Sequence, residues 1–298
     1  MRTIKTCPGI GDSIWLFMKL VNAGEQFNWQ ISASPPQRGK QIFDLMPQVA
    51  ASCEYKPGLG YSEIKARNIM NICRLWRTIR SQDFYLSINA HLESGRRIEE
   101  FLPDLPTTYL LEYATTEYDD DKAESLLHSV FQGVRLRRAI GIYGSAYSTQ
   151  RAWGLWDEKE WMRLIYQMYK TDSDLIFVII GASFDVDLGG NLIKLLDEQG
   201  IPYINTIGEP LSVVIEILKR LNYFIGFPSG LSILNETLGK DGFMFYPSPS
   251  VAAKVCNIMN TWAHPSRIAS GAYKAALPCD PIDVYNWLKN DYKLFDRL

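Results

Sequence analysis

The first residues that could do chemistry form a short glycine-rich segment near the start of the chain, Gly9-Ile10-Gly11-Asp12-Ser13. Glycine lets the chain turn tightly and lets a ligand approach the backbone, and a helix N-terminus offers unbonded N–H groups. A carboxylate at the end of a strand, here Asp12, could take a proton from a hydroxyl group as a general base. An equally open interpretation is that Asp12 only caps a helix that starts at Ser13. With Ile14 in place of a third glycine, the segment is a poor dinucleotide-binding fingerprint.

A second segment, Gly226 to Ser232, also lies between a predicted strand and a predicted helix. Its backbone N–H groups and its two hydroxyl groups would suit a diphosphate, with help from the helix dipole. The residues concerned are Ser229, Gly230, Leu231 and Ser232. The alternative is an ordinary turn between strand and helix in which Ser229 is the N-cap.

A third segment, residues 143–151, follows the first predicted strand of the second half and is rich in hydroxyl groups. Gly144 and Ser145 open this loop, and Arg151 comes just before Trp153. Arg151 could neutralise the negative charge that builds on a departing nucleoside diphosphate, which is work that a metal ion otherwise performs. Alternatively, Arg151 is a solvated loop residue that stacks on Trp153.

Acids, histidines and cysteines give no metal-binding pattern. Asp185-Val186-Asp187 resembles an Asp-x-Asp clamp for Mg²⁺ or Mn²⁺, but that clamp belongs to proteins with one nucleotide-binding unit, and two are predicted here. A ribose or base contact, or an acid at a helix N-terminus, is the favoured interpretation of Asp185. His91 could line an acceptor site, although a structural histidine is the simpler interpretation. The five cysteines are scattered without Cys-x-x-Cys pairs, so we predict neither a metal site nor a disulfide framework.

Strands and helices that could position these segments alternate clearly in the second half. Short apolar runs typical of buried parallel strands occur at Ala139–Tyr143, Leu175–Ile180, Ile201–Asn205, Tyr223–Gly226 and Gly242–Tyr246. Asp157 and Glu160 form a capping box that opens a helix, and further helices are predicted over Asn191–Gln199, from Pro210, and over Leu231–Leu238. The first half repeats the rhythm more faintly, with strands at Thr3–Thr6, Trp29–Ala33 and Phe84–Ile88 and helices at Ser13–Val21, Ser62–Arg80 and Asp119–Phe131. Such alternation predicts doubly wound parallel sheets.

Length and composition fit a two-domain α/β protein. A chain of 298 residues is comfortable for two domains, predicted as 1–135 and 136–275, with a helix over 276–298 that packs back on the first domain. The net charge of -2 gives no basic field to attract nucleic acid or anionic lipid. No apolar run approaches the ~20 residues that span a bilayer, and no secretory signal is visible. We therefore expect a cytoplasmic protein without a membrane span.

Taken in order, these segments resemble the family 9 glycosyltransferases, which are heptosyltransferase-like enzymes of the GT-B fold. The resemblance rests on Gly9–Asp12, the Arg151 and Trp153 pair, the capped helix Asp157–Met168, the strand ending at Gly181, Pro210-Leu211, Ser229–Ser232 and Leu238-Gly239-Lys240. It implies two Rossmann-like domains facing a central cleft, the first on the acceptor side and the second binding a nucleotide sugar.

The resemblance also implies roles for single residues. Asp12 would be the catalytic base, with Gly11 and Ser13 beside it contacting the donor. Arg151 would bind the donor phosphates, and the Ser229-Gly230 turn would hold the diphosphate through its amides. Gly181 and Asp185 would lie near the donor nucleoside. The sequence departs from the family where Pro228 and Ile233 replace an Asp and a His, so an ADP-heptose donor is not implied.

The function expected from this resemblance is an inverting, metal-independent transfer of a sugar from a nucleoside diphosphate sugar to an acceptor hydroxyl, without a cofactor. Two alternatives stay open: a GT-B-like sugar-nucleotide epimerase or hydrolase, and a nucleotide-sugar-binding module without catalysis. The acceptor could be a glycan, a small molecule or a modified nucleobase. The sequence does not define an oligomeric state.

Overall fold

The computed structural model describes residues 2–6, 9–24, 27–32, 38–55, 82–83, 87–128, 138–144 and 156–298. The chain divides into two compact units, Met1–Ala114 with Lys254–His264, and Thr115–Ala253 with Pro265–Leu298. No helix in the described ranges is long and apolar enough to span a membrane.

The first unit is built on a parallel sheet whose described strands have the order β3-β2-β1-β4. Its strands are β1 (Arg2–Thr6), β2 (Phe27–Ser32), β3 (Val49–Tyr55) and β4 (Gln82–Asp83), and its helices are α1 (Ile10–Leu20), α2 (Arg38–Phe43) and α3 (Ser87–Glu93). Helix α1 is buried from Ser13 to Leu20 and contacts both other helices. A helix buried on every side lies in the middle of its unit, so α1 fixes the position of the glycine-rich segment at its start.

The last two residues of one strand predicted in the first unit, Ser87 and Ile88, lie in a helix. Ile88 was assigned to a strand from Phe84, but it lies in α3, and residues 84–86 are outside the described ranges. Ile88 and Leu92 are both buried, and a spacing of four residues puts them on one face of a helix rather than one face of a strand. The predicted helix Ser62–Arg80 also lies outside the described ranges.

The second unit contains a parallel sheet of six strands in the order β10-β9-β8-β5-β6-β7. The strands are β5 (Ala139–Tyr143), β6 (Ile176–Ile179), β7 (Tyr203–Asn205), β8 (Tyr223–Gly226), β9 (Gly242–Pro247) and β10 (Tyr273–Leu277). The helices before β9 are α4 (Glu117–His128), α5 (Glu158–Thr171), α6 (Val186–Gln199), α7 (Leu211–Arg220) and α8 (Gly230–Thr237). The helices after β9 are α9 (Pro249–Trp262), α10 (Pro265–Ala269), α11 (Pro281–Asn286) and α12 (Leu294–Arg297). Helix α9 is kinked at Ala252, and its part from Lys254 onward belongs to the first unit. The predicted capping box of α5 is confirmed, because Asp157 accepts from the amide of Glu160 and its own amide donates to the Glu160 carboxylate.

The division between the units comes earlier in the chain than the sequence indicated. The predicted boundary at residue 135 lies in a stretch outside the described residues, 129–137, whereas the structure groups the chain from Thr115 onward with the second unit. Helix α4 is held to α7 by side chains: Ser212 Oγ donates to Asp119 Oδ1 at 2.6 Å, and Arg220 donates to Asp120. The carboxylates of Asp119 and Asp120 near the start of α4 therefore bind α7.

The C-terminal residues also differ from the prediction. They form α11, a π-helical turn at Trp287–Asp291 and α12 instead of one continuous helix. Arg163 of α5 donates to Asp280, and Tyr285 of α11 shares a 2.6 Å hydrogen bond with Thr171 of α5. The C-terminal stretch thus packs within the second unit, and the segment that joins the first unit is Lys254–His264.

Candidate functional site

The strand order of the second sheet marks a place for a ligand. From β5 the chain builds outward through β6 and β7, then returns to the other side of β5 to form β8. In open parallel sheets, ligands bind beyond the carboxyl ends of the strands at such a reversal. The register pairs Tyr143, the last residue of β5, with Gly226, the last residue of β8. The loops that start at Gly144 and Phe227 therefore leave the sheet side by side, and they are the second and third segments that the sequence analysis selected.

Glycine is required where the first of these loops begins. A Cβ atom on Gly144 would lie 2.9 Å from Leu188 Cδ2 and 2.9 Å from the indole Nε1 of Trp161. Real Cβ atoms do not approach other heavy atoms so closely, so a side chain here would displace the Leu188 side chain or the Trp161 indole. Gly144 is buried, and its backbone is thus packed directly on the residues beneath the loop.

A cluster of aromatic rings packs around Phe227, the first residue after β8. Trp161 lies 5.1 Å from Phe227 and 5.2 Å from Trp156, and Phe245 lies 4.7 Å from Phe227, all measured between ring centroids. The Trp156 indole also donates to the Cys279 carbonyl at 3.0 Å. Sequence reasoning missed this cluster because its members come from distant parts of the chain, and only the apolar character of each signalled burial.

The N-terminus of α8 is the most complete part of the site. Ser229 is the N-cap, and its Oγ accepts the amide of Ser232 at 3.2 Å. The Ser232 hydroxyl donates to the Phe227 carbonyl, and this side chain is 2 % exposed. Both hydroxyl groups therefore stabilise the turn, as the N-cap interpretation proposed, and Ser232 does not present its hydroxyl to a ligand. The first amides of a helix have no helical partner, which leaves the N–H groups of Gly230 and Leu231 at the positive end of the helix dipole.

The loop after β6 brings Gly181 and Asp185 together. The Gly181 carbonyl accepts the amide of Gly208 at 2.9 Å, which ties this loop to the one after β7. Asp185 Oδ2 accepts the amide of Ala182 at 2.8 Å, and the residue is 6 % exposed. Asp185 precedes the first residue of α6, so the interpretation of an acid at a helix N-terminus describes its position. In the described ranges, no three His, Cys, Asp or Glu side chains form a group that could hold a metal ion.

The glycine-rich segment of the first unit has a different start from the predicted one. Helix α1 begins at Ile10 with Gly9 as its N-cap, so Asp12 is the third residue of the helix and not its cap. Ser13, which was predicted to contact the donor, is buried, and its Oγ donates to the Gly9 carbonyl at 2.7 Å. Asp12 and Gly11 are half-buried. A carboxylate in the first turn is stabilised by the helix dipole, and this position follows the carboxyl end of β1.

Two further predicted residues, Ser145 and Arg151, lie outside the described residues. His91 is in α3, 3 % exposed, and its Nε2 is 2.8 Å from the Arg97 carbonyl. Burial lowers its pKa. The structure therefore gives His91 a structural role in the first unit.

Lys19 is a polar residue of α1 that sequence reasoning missed. It is 1 % exposed, and its Nζ donates to the Glu99 carbonyl at 3.2 Å and to Thr107 Oγ1 at 3.1 Å. Burial lowers the pKa of Lys19 to about 8, against the smaller opposing effect of the Glu99 charge. The signal in the sequence was a single cation inside the apolar run from Ile14 to Leu20, on the same side of the helix as Asp12 seven residues earlier.

Comparison with known proteins finds solved structures of similar architecture. No protein-family model matches the chain, and no relative is found among curated proteins. Among solved structures, the chain is similar to the ADP-heptose lipopolysaccharide heptosyltransferase II of E. coli, with 14% identity and a TM-score of 0.57 over 99% of this chain and 100% of that one. A family 9 glycosyltransferase from Veillonella parvula gives 13% identity and a TM-score of 0.56 over 84% of this chain and 83% of that one.

An epimerase shares the same architecture. The UDP-GlcNAc 2-epimerase of Neisseria meningitidis is 11% identical, with a TM-score of 0.52 over 100% of this chain and 93% of that one. The chain therefore has the GT-B fold, as the resemblance to the heptosyltransferase-like family implied, with a parallel α/β sheet in each unit. This fold class contains both sugar transferases and sugar-nucleotide epimerases.

Proposed function

We propose that this protein transfers a sugar from a nucleoside diphosphate sugar to an acceptor hydroxyl, with inversion at the anomeric carbon and without a metal ion. The observation that carries the proposal is the pair of neighbouring loops after β5 and β8, one of which leads into the capped N-terminus of α8. Unbonded amides at the positive end of a helix suit a diphosphate. The GT-B fold, shared with nucleotide-sugar enzymes, supports the same ligand.

In this proposal the second unit holds the donor. The amides of Gly230 and Leu231 bind the diphosphate, and Ser229 keeps them in place by capping the helix. Gly144 lets the backbone pack closely on Trp161 where the donor-binding loop begins, and the loop from Gly181 lies near the nucleoside. Ser145 and Arg151 act on the phosphates, where the Arg151 cation offsets the charge of the leaving group.

Asp12 is the proposed base. Its carboxylate takes the proton of the acceptor hydroxyl while the hydroxyl oxygen forms a bond to the anomeric carbon. The bond from that carbon to the diphosphate oxygen breaks, and the nucleoside diphosphate leaves with the electron pair. The position of Asp12 in the first turn of the buried helix α1 supports this role, because a rigid element holds a catalytic group better than a mobile loop does.

Two positions in the second unit bear on the identity of the donor sugar. The family resemblance places a His at position 233, but Ile233 is 4 % exposed and is part of the core. Position 228 is a proline where the family has an Asp. Neither position supplies a polar group to a heptose, so a heptose donor does not follow from the fold.

A ligand panel tests the proposal. Thermal shifts with ADP, GDP, UDP, CDP and dTDP and their common sugar derivatives should identify one nucleotide, since a ligand at 100 times its Kd adds ~2.7 kcal/mol of stability. With that donor, Asp12→Asn should lower turnover by roughly 10²–10⁴-fold while donor binding persists. The exposed Asp104 of the same unit provides a matched control, Asp104→Asn. Full activity of Asp12→Asn would refute the proposed mechanism. Activity that strictly requires Mn²⁺ and is abolished by EDTA would also refute it.

The likeness to an epimerase supports a second candidate, a reaction on the donor alone. An epimerase or hydrolase would convert or cleave the nucleotide sugar with no acceptor present, which NMR of the incubated donor detects. A transferase needs an acceptor for rapid turnover. Donor binding without turnover under either condition would indicate a binding module without catalysis.

A further inference from the structure

The end of helix α9 is bound in the first unit by Arg97, and Asn257 Nδ2 earlier in the helix donates to the Glu93 carbonyl at 3.3 Å. The segment Lys254–His264 belongs to the first unit, although the chain on both sides of it belongs to the second. Arg97 Nη1 donates to the Asn260 carbonyl at 2.9 Å, and Arg97 Nη2 donates to the Ala263 carbonyl at 3.1 Å. Carbonyls at the C-terminus of a helix have no helical partner. Arg97 therefore caps α9 from a different part of the unit.

The Arg97 guanidinium is itself fixed in place. Its Nε and Nη2 donate to the two Glu99 carboxylate oxygens at 3.1 and 2.8 Å, and Nη2 also lies 3.1 Å from the Tyr109 hydroxyl. The Tyr109 ring meets the His264 ring edge-on at a centroid distance of 4.8 Å. A planar guanidinium can satisfy a carboxylate and two carbonyls together, whereas a lysine ammonium cannot reproduce that geometry.

Arg97 binds the chain on both sides of a buried tryptophan, Trp262. Asn260 and Ala263, whose carbonyls accept from Arg97, flank this residue in the sequence, and Trp262 is 0% exposed. The Trp262 ring is 6.0 Å from the ring of Trp15 on α1, and Trp15 is 7 % exposed. Residues three apart on a helix lie on the same face, so Trp15 lies about one turn after Asp12 on the same side of α1. The Trp15–Trp262 contact thus connects the residues that Arg97 binds to the start of α1.

We propose that Arg97 is a positioning residue for Asp12, acting through the Trp262–Trp15 contact to hold the first turn of α1. The catalytic meaning of this role rests on the proposed function, in which Asp12 is the base. The structural part does not depend on that function. Loss of the Arg97 bonds should loosen the end of α9 and the first turn of α1 together, and leave the second unit unchanged.

Hydrogen exchange measured by mass spectrometry tests the structural part in the full chain. In Arg97→Met, peptides covering 257–264 and 9–16 should both exchange faster, by roughly tenfold to 100-fold, as expected for the loss of charge-assisted hydrogen bonds. Arg97→Lys should give the same pattern, since it keeps the charge but not the fork, and it serves if the methionine variant folds poorly. The matched control is Arg96→Met, because Arg96 is the exposed neighbouring arginine. Faster exchange confined to 257–264 would overturn the proposal, because Arg97 would then act only on α9.

A kinetic measurement tests the catalytic part. With the donor identified by the nucleotide panel, Arg97→Met should lower kcat at least tenfold, with the donor Kd within about twofold of the wild type, as misplacement of a catalytic group predicts. An unchanged kcat with loosened exchange at 9–16 would refute the role of Arg97 in positioning the base. If the wild-type protein turns over no nucleotide sugar, the proposed function fails, but the exchange pattern still decides whether Arg97 holds α1.

Discussion

The amide of Gly230 offers the sharpest test of the diphosphate site. Gly230 is the first residue of α8, and the Ser229 before it is extended, with φ −159° and ψ 171°. Proline is tolerated at the first position of a helix, where its missing N–H would be unbonded in any case, and it requires an extended residue before it. Gly230→Pro therefore removes one N–H group proposed to bind the diphosphate while the helix and its Ser229 cap persist.

The size of the effect follows from the bond removed. A hydrogen bond to a charged group contributes about 1.5–3 kcal/mol, which corresponds to roughly a 10- to 150-fold change in affinity. Gly230→Ala is the matched control because it changes the side chain and keeps the amide. Isothermal titration calorimetry with the nucleoside diphosphate selected by the panel should show a Kd raised by this factor in Gly230→Pro and nearly unchanged in Gly230→Ala.

Thermal unfolding must accompany the titration. Both variants should melt within a few degrees of the wild type, because neither removes a hydrogen bond of the fold. If Gly230→Pro folds normally and binds the nucleotide as tightly as Gly230→Ala, the N-terminus of α8 does not hold the diphosphate, and the reasoning from the sheet reversal is refuted.

Three predictions concern stability. The pKa of Lys19 is about 8 in the folded state against an ordinary 10.5, so the folded state holds fewer protons than the unfolded chain between these pH values. The stability of the wild type relative to Lys19→Met should therefore rise from pH 8 to 10.5, by at most about 3 kcal/mol. Urea titrations that show a constant difference between the two proteins would contradict this prediction. Gly144→Ala should lower the free energy of unfolding by about 1–3 kcal/mol in the same assay, since its Cβ would overlap Leu188. An unchanged urea midpoint would show that the Leu188 and Trp161 side chains move aside at no cost. Burial raises the pKa of Glu216, but hydrogen bonds from a lysine, a threonine and an arginine outweigh this effect and hold the pKa at about 2. Glu216→Gln should thus destabilise the protein more at pH 7 than at pH 2, because the stabilisation by the ionised carboxylate is lost as the pH falls from 4.5. Equal losses of stability at both pH values would argue against this prediction.

Much of the second unit could be predicted from local patterns. Ala139–Tyr143 and Tyr223–Gly226 were predicted with the bounds that the structure has, because a short apolar run between polar residues is typical of a buried parallel strand. The Asp157 and Glu160 capping box was equally local, since its bonds join residues three apart. The segments selected for chemistry lie at the ends of such strands, but only the strand order and the pairing of β5 with β8 show which of these segments are neighbours.

Other parts of the site were decided by contacts between distant residues. Ser232 belongs to the turn and not to a ligand surface because its hydroxyl reaches the Phe227 carbonyl. His91 was predicted to follow a strand, but it lies inside helix α3, where it is buried on the same face as Ile88. Ser145 and Arg151 remain predictions, since they lie outside the described residues.

By itself, the sequence determined the alternation of strands and helices, the turns rich in glycine and serine, and hence the α/β class, because periodicity and capping act over a few residues. Only the tertiary structure decided that α4 and the C-terminal helices join the second unit, that Lys254–His264 joins the first, and that Lys19 and Arg97 hold α1 and α9. These outcomes depend on pairs of residues 80 or more positions apart in the chain, as for Lys19 with Glu99 and Arg97 with Asn260. Their partners are carbonyls and buried rings, whose positions no local pattern encodes.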